Sequence, residues 1–247
     1  MNHLLSNSDF RNIFSFKNLK NSFSDFIAPR HCLVCNSYIS YDGRYSKFIC
    51  DKCFDNIPFA DNKHIILNRF HSNFPEGRSA VSEAAALMNL KEKSGYLEII
   101  HALKYQKFKS TASEFGNLLA RRLEVESMLH YDYVVPIPIH TAKRRERGFN
   151  QSDLIARKLS DITGMKFGDS MIFRHKYTVT QTLLNKSQRY KNMENVFSIV
   201  QGADIRNKTV LLIDDVLTTG STINSAAAVL KSAGAEKVGA AVLAVAN

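Results

Sequence analysis

The 247-residue sequence predicts an α/β fold, with a mostly parallel sheet flanked by helices and a small four-cysteine module near the N-terminus. Two observations support this prediction. In the second half of the chain, short apolar segments typical of buried strands alternate with helical segments, as in βαβ units. All four cysteines fall within residues 32–53, as two C-x2-C pairs. The length suits one larger domain and one small module.

The spacing of apolar residues predicts each element in turn. Before Pro29, apolar residues recur every three or four positions and predict an amphipathic helical extension at 1–28, which packs on its own domain or binds a partner or membrane surface. The same spacing, with Gly164 and Gly234 as end signals, predicts the later helices, and β-branched apolar runs predict the strands. The predicted helices are 96–108, 112–129, 151–163 and 221–233. The predicted strands are 84–90, 133–139, 171–173, 196–200, 209–213 and 238–246.

Composition and charge exclude some classes of protein. With 45% hydrophobic and 23% charged residues, the chain is not disordered as a whole. The net charge of +10 favours an anionic partner, and residues 140–195 hold 12 Lys or Arg against 5 Asp or Glu. No apolar run approaches the length of a transmembrane helix, and no signal peptide is recognised, so we expect a cytoplasmic protein.

The cysteine module predicts a metal site. Cys32, Cys35, Cys50 and Cys53 form two pairs separated by 14 residues, close to zinc-ribbon spacing. Four thiolates complete a tetrahedral shell, so the zinc would be structural. Buried free cysteines and an iron–sulfur cluster are the alternatives. His31 would be a fifth ligand and is not expected to coordinate the metal.

The segment 210–222 is the most informative part of the sequence. An apolar strand ends in two adjacent carboxylates, and a loop rich in hydroxyl groups leads into a helix. Helix N-terminal amides, glycine and hydroxyl groups bind phosphate, whereas paired carboxylates suit a sugar diol or Mg²⁺. The alternative is a helix cap beside a solvated strand end. The residues concerned are Asp214, Asp215, Thr218, Thr219, Gly220, Ser221 and Thr222.

This string resembles the phosphoribosyl-pyrophosphate (PRPP) signature of type I phosphoribosyltransferases. The resemblance implies that Asp214 and Asp215 hold the ribose hydroxyls and that residues 218–222 wrap the 5-phosphate. It also implies a cover, or hood, over the site at 174–195, in which Gln181 and Arg189 are the candidates to contact ligand. A solvated linker is the alternative for that stretch.

A basic loop at 136–151 is the second candidate for anion binding. Its Lys143, Arg144 and Arg147 follow a predicted strand end of the same sheet, where arginine side chains would pair with pyrophosphate. The alternative is a solvated basic loop without a ligand.

With these motifs in order, the chain resembles the ComF family, which includes GntX-like proteins. The resemblance rests on Pro29-Arg-His-Cys-Leu-Val-Cys, Leu103-Lys-Tyr, Val135-Pro-Ile-Pro, Arg147-Gly-Phe-Asn-Gln, residues 181–195 and the 210–222 string. It implies a zinc ribbon at 29–60 and a type I phosphoribosyltransferase-like domain at 61–247. It also implies a link to natural transformation, in which single-stranded DNA is handled after uptake.

Two functional hypotheses follow. The first is a transferase that binds Mg-PRPP and passes the phosphoribosyl group to an unidentified acceptor. The second is a non-catalytic competence protein that handles single-stranded DNA with the DNA-uptake machinery, and whose nucleotide site binds or regulates. The intact 210–222 string favours the first; the charge and the interleaved Tyr and Phe residues favour the second.

Overall fold

The computed structural model describes residues 30–39, 45–104, 109–175 and 196–246. The chain divides into two compact units, Met1–Ile57 and Pro58–Asn247. The predicted helix at 1–28 lies outside the described residues, and the domain limits 1–28, 29–60 and 61–247 stay predictions. Within the described ranges, no helix is both long enough and apolar enough to cross a membrane.

The first unit is a cysteine-rich turn followed by one short helix. Backbone hydrogen bonds from Asn36 N to Cys32 O and from Cys32 N to Ser37 O, both 2.8 Å, close the turn around the first cysteine pair. Asn36 takes a left-handed conformation (φ 59°) at its corner. The short helix α1 (Asp51–Asp55) carries the last cysteine.

The larger unit is built on a five-stranded parallel sheet, as the sequence predicts. Its strands are β1 (Glu83–Leu90), β2 (Tyr133–Pro136), β3 (Lys166–Phe167), β6 (Thr209–Leu217) and β7 (Lys237–Ala246). They lie in the order β1-β7-β6-β2-β3. The apolar run 210–213 of β6 and the run 238–245 of β7 are buried, which is the pattern of a sheet covered on both faces.

Helices cover the sheet. A separate two-stranded antiparallel ribbon, formed by β4 (Ile172–Arg174) and β5 (Phe197–Ile199), lies between β3 and β6 in the sequence. Val210 and Leu212 of β6 share one hydrophobic cluster with α7 and α2. The alternate residues Leu211 and Ile213 point to the other face, as strand geometry requires. The helices are α2 (Lys63–His71), α3 (Leu97–Ala102), α4 (Lys109–Val125), α5 (Thr141–Arg147), α6 (Gln151–Thr163) and α7 (Ser221–Ser232).

Two predicted boundaries beside the site are wrong. The strand expected at 209–213 continues to Leu217, so Asp214 and Asp215 lie within β6 and not at its end. The reason is pairing with the long strand β7, which aligns Asp214 with Val242 and Leu217 with Val245.

The basic segment expected as a loop is largely the helix α5. His140 caps this helix by accepting a hydrogen bond at Nδ1 from Ala142 N, 3.1 Å away. None of its residues is buried, so it has no apolar periodicity that the sequence could reveal.

Three further elements, α1, α2 and β3, were not predicted. The helix α2 begins at a good cap, because the side chain of Asn62 accepts from the backbone N–H groups of His64 and Ile65. The ribbon of β4 and β5 is antiparallel and separate, although its two segments were expected as strands of a mostly parallel sheet.

A partly buried ion-pair network joins the amino ends of the strands. The Glu83 carboxylate accepts from Lys237 Nζ at 2.6 Å, Tyr131 Oη at 2.7 Å and Lys63 Nζ at 3.0 Å, and His130 Nε2 lies 3.2 Å away. Burial alone would raise the pKa of Glu83, but the hydrogen bonds from Lys237, Tyr131 and Lys63 outweigh it and lower the pKa to about 2. The ionised carboxylate therefore stabilises the fold at neutral pH.

We expect Glu83→Gln to destabilise the larger unit by about 1–2 kcal/mol at pH 7, because it leaves partly buried cationic donors without a charged acceptor. Folding lowers the Glu83 pKa from 4.5 to about 2, so this contribution is complete above about pH 4.5 and is lost as the pH falls toward 2. Urea unfolding of wild type and variant at several pH values measures it. The matched control is Glu98→Gln, since Glu98 is 59% exposed in its pair with His101. A difference between wild type and Glu83→Gln that stayed constant down to pH 2.5 would contradict the assignment.

Candidate functional site

The candidate site lies at the carboxyl edge of the sheet, where β2 ends and the neighbouring strand β6 continues to Leu217. These strands are parallel, with Pro136 aligned to Ile213. The chain therefore leaves β2 toward α5 close to the place where β6 carries Asp214 and Asp215. In open parallel sheets, ligands bind beyond this edge. The structure thus brings the predicted carboxylates and the predicted basic segment to the same edge.

The two carboxylates have different surroundings. Asp214 Oδ1 accepts from Ser152 Oγ at 3.2 Å and from the backbone N–H of Asp215 at 3.0 Å. Asp215 Oδ1 accepts from the N–H of Val216 at 2.8 Å. Burial, followed by repulsion from Asp215, raises the pKa of Asp214 to about 8, although the two hydrogen bonds and attraction to Arg174 offset part of the rise. Asp214 can therefore carry a proton at neutral pH before a cation or a diol binds.

The turn between α5 and α6 holds Ser152 in place. Gly148 ends α5 in the left-handed conformation (φ 76°), which glycine adopts without strain. Buried Asn150 then donates from Nδ2 to Ile137 O at 3.0 Å, and its Oδ1 accepts from Ser152 N at 3.3 Å. The segment Arg147-Gly-Phe-Asn-Gln thus leads from α5 into α6 and is bonded through Asn150 to Ile137, just beyond the end of β2. This places Ser152 within hydrogen-bonding distance of Asp214.

Cationic side chains gather near the same carboxylate. Burial lowers the pKa of Lys143, and repulsion from Arg147 and Arg174 lowers it further. Burial also lowers the pKa of Arg174, while attraction to Asp214 acts in the opposite direction. Exposed Arg144 instead lies 3.6 Å from Asp153, measured from Nη2 to Oδ2. Of the predicted basic residues, Lys143 and Arg147 therefore belong to one positive cluster, and Arg144 is paired at its margin.

Residues 218–222, here called the phosphate loop, join β6 to α7. Gly220 is the residue before α7, has φ +75° and has no side chain to cap the helix. Thr219 Oγ1 accepts from the N–H of Ser221 at 3.5 Å and lies 3.0 Å from Ser221 Oγ, and Thr218 is exposed. Amides at a helix N-terminus, lined with hydroxyl groups, bind anions such as phosphate.

The four cysteines of the first unit form a compact cluster. Their Sγ atoms all lie within 4.8 Å of one another, and Cys35 Sγ is 3.7 Å from Cys50 Sγ. A tetrahedral zinc with Zn–S bonds of about 2.3 Å separates its sulfur ligands by about 3.8 Å, so this donor set fits the metal. The backbone N–H of Cys50 also points at Cys32 Sγ, 3.3 Å away, as a thiolate ligand requires. The cluster can therefore bind a metal ion such as zinc.

Sequence reasoning missed two residues of the site and named two that the described residues do not include. Ser152 and Arg174 both act on Asp214, yet Ser152 closely follows a capping asparagine and Arg174 lies in a short strand, so neither has a pattern of its own. The only signals were that Ser152 directly follows the basic segment 136–151 and that Arg174 is the first basic residue of the stretch 174–195. Gln181 and Arg189 lie outside the described residues.

Comparison with known proteins gives matches in sequence. A family model for the phosphoribosyl transferase domain matches residues 110–247. The chain is 30% identical over 221 residues to DNA utilization protein YhgH of Escherichia coli K12, covering 86% of this chain and 90% of that protein. It is 34% identical over 106 residues to competence protein F of Haemophilus influenzae, covering 42% of this chain and 46% of that protein.

Among solved structures, one match is the glutamine PRPP amidotransferase of Bacillus subtilis in complex with ADP and GMP. The TM-score is 0.38 at 22% sequence identity, and the match covers 54% of this chain. The chain spans about a quarter (26%) of the length of that structure.

Proposed function

This chain is a member of the ComF/YhgH family and carries a phosphoribosyl transferase domain, and from that premise we propose that it binds Mg-PRPP and transfers the phosphoribosyl group to a nucleophilic acceptor. One observation carries the proposal. Two adjacent carboxylates, Asp214 and Asp215, precede by only a few residues a helix N-terminus that follows Gly220 and is lined with hydroxyl groups. This arrangement suits a ligand that has a ribose diol and a phosphate close together.

The residues take complementary roles in this proposal. Asp214 and Asp215 accept hydrogen bonds from the ribose 2- and 3-hydroxyls, and the phosphate loop binds the 5-phosphate through amides and hydroxyl groups. Lys143 and Arg147, with Arg144 nearby, bind pyrophosphate together with Gln181 and Arg189. When bound, Mg²⁺ supplies positive charge that offsets the repulsion between the carboxylates and the diphosphate.

In the reaction, the acceptor nucleophile forms a bond to ribose C1 while the bond between C1 and the pyrophosphate oxygen breaks. Pyrophosphate leaves with the bonding electron pair, and negative charge grows on its oxygens. In this proposal, Lys143 and Arg147 stabilise that charge. The half-buried position of Lys143 strengthens this interaction, because fewer water molecules screen it.

The test is binding of Mg-PRPP, measured by calorimetry and as a rise in melting temperature. We expect wild type to bind, and Asp214→Asn combined with Asp215→Asn to bind about 100-fold more weakly, because two charge-assisted hydrogen-bonding groups are lost. Asp204→Asn is the control, since Asp204 is 65% exposed and pairs with Lys208. No binding by wild type would overturn the proposal. Pyrophosphate release in the presence of bases, amines or DNA would then identify the acceptor.

We further infer that the cysteine cluster holds zinc and that the protein works in the cytoplasm. Four thiolates in a closed tetrahedral set are typical of a structural zinc site. Such a site needs reduced cysteines, which a reducing compartment maintains. We place the ribbon at 29–60 and the transferase domain at 61–247.

A second candidate function is the handling of single-stranded DNA. Relatives named for DNA utilization and competence favour it, as does the net charge of +10. Arg157 lies 4.1 Å from the centre of the Phe167 ring, and Lys166 lies 5.9 Å from that of Tyr133, so cations and aromatic rings occur together at the β3 edge. Binding of a labelled oligonucleotide across a salt series tests it. Absence of binding at about 50 mM salt would exclude this function.

A further inference from the structure

We propose that residues 63–80, which lie outside the segment matched by the family model, position the phosphate loop. Phe70 does so by packing against Gly220, and residues 78–80 do so by bonding to Asn224 of α7. This inference rests on the proposed function of the loop as a phosphate site. It assigns a role to α2 and to the chain that follows it, for which the sequence predicts no function.

The first observation is the contact between Phe70 and Gly220. A Cβ atom at Gly220 would lie 2.8 Å from Phe70 Cδ2 and 3.2 Å from Leu217 Cδ1, and it would also meet Phe70 Cε2. The ring edge is therefore packed directly against the loop backbone. Because Gly220 has no Cβ, it adopts φ +75° with the Phe70 ring packed against its backbone.

Phe70 is itself fixed in place. Its side chain is fully buried, and its ring centre lies 5.2 Å from that of Phe74. The preceding residue, Arg69, donates from Nη2 to Ala246 O at 2.6 Å. The helix α2 is thus tied to the carboxyl end of β7, and the ring cannot move away from the loop without breaking these contacts.

The second observation is the side chain of Asn224, one turn into α7. Its Oδ1 accepts from Ala80 N at 2.8 Å, and its Nδ2 donates to Arg78 O at 3.0 Å. Asn224 is buried, so both hydrogen bonds form away from water. The first turn of α7 is therefore held by residues 78–80 while Phe70 supports the loop that precedes it.

Two supports of this kind keep the loop amides in one arrangement before ligand arrives. A preorganised site loses less conformational entropy on binding. Neither Phe70 nor Asn224 needs to touch the ligand. Loosening either one should weaken binding of a phosphate ligand without changing the charge of the site.

The experiment compares Phe70→Leu with Phe115→Leu. Phe115 is the matched control, because it is also fully buried but lies on α4 outside the cluster that contains Phe70. Both variants should lose similar stability. We expect Phe70→Leu to bind Mg-PRPP about 5-fold more weakly or worse, and Phe115→Leu to remain within about 2-fold of wild type.

A second readout separates this inference from the proposed function. Without ligand, the amides at 219–222 should exchange hydrogen faster in Phe70→Leu than in Phe115→Leu. If Phe70→Leu does not fold, Asn224→Ala takes its place in this comparison. Failure of wild type to bind Mg-PRPP would overturn the proposed function. The hydrogen-exchange rates at 219–222 would still test whether Phe70 and Asn224 position the loop. Equal exchange in the loop variants and the control would overturn the inference, whatever the ligand does.

Discussion

Replacement of Gly220 by alanine is expected to destabilise the larger unit by about 2–5 kcal/mol and to remove measurable binding of Mg-PRPP. The left-handed conformation costs a residue with a Cβ roughly 1–2 kcal/mol. Overpacking against Phe70 and Leu217 adds about 1–3 kcal/mol. The new methyl group either displaces the ring or moves the loop, and both change the positions of the amides that we propose bind the phosphate.

The chain provides a control that separates the two costs. Gly164 has nearly the same backbone angle (φ +76°), but nothing lies within 4 Å of a Cβ placed there. Gly164→Ala should therefore cost about 1–2 kcal/mol and leave ligand affinity unchanged. Urea unfolding and calorimetric titration measure both variants. Equal losses of stability and equal affinities in the two variants would show that Phe70 does not crowd Gly220.

Removal of the zinc that we propose for the cysteine cluster is expected to unfold the first unit while the larger unit stays folded. The described part of this unit buries few apolar side chains besides the cysteines, among them Ile39, Ile49 and Ile57, and so small a core does not hold a fold. Structural zinc sites contribute roughly 10–16 kcal/mol of apparent binding free energy to such modules. Chelation should therefore expose residues 30–57 to protease and leave binding of Mg-PRPP intact.

Substitution tests the ligand set directly. Cys53→Ser should abolish stoichiometric zinc, measured by elemental analysis, since Cys53 is a buried member of the cluster. His31→Ala is the control, because His31 is adjacent in sequence but exposed and outside the cluster. Loss of zinc from His31→Ala would contradict a four-thiolate site. Visible absorbance typical of iron in the purified protein would instead identify an iron–sulfur cluster.

The sequence predicts the sheet well because its core strands and helix ends have local signals. The strand 84–90 lies within β1, and the helix 151–163 ends where Gly164 predicts. The end of β6 was misplaced because aspartate is uncommon in strands, whereas pairing with β7 overrides that preference. The helix α5 was missed because an exposed helix need not have an apolar face.

The candidate site is predictable only where its residues are neighbours in sequence. Asp214, Asp215 and the phosphate loop form one continuous string, and so the chemistry of the ligand could be inferred from it. Ser152 donates a hydrogen bond to Asp214, which lies 62 positions away in sequence, and Asn224 accepts one from Ala80, which lies 144 positions away. Such contacts leave no periodicity or spacing in the sequence, because they exist only once the sheet has formed.

The strand order has a consequence for how the protein is made. The first strand, β1, pairs with the last, β7, and Glu83 is aligned with Gly239. During synthesis, β1 leaves the ribosome long before its partner, and the sheet cannot close until Lys237–Ala246 has been translated. Non-local parallel pairing of this kind folds slowly. Premature termination would therefore remove an interior strand and leave β1 and β6 without the neighbour that joins them, so an incomplete chain exposes two apolar edges to chaperones and proteases.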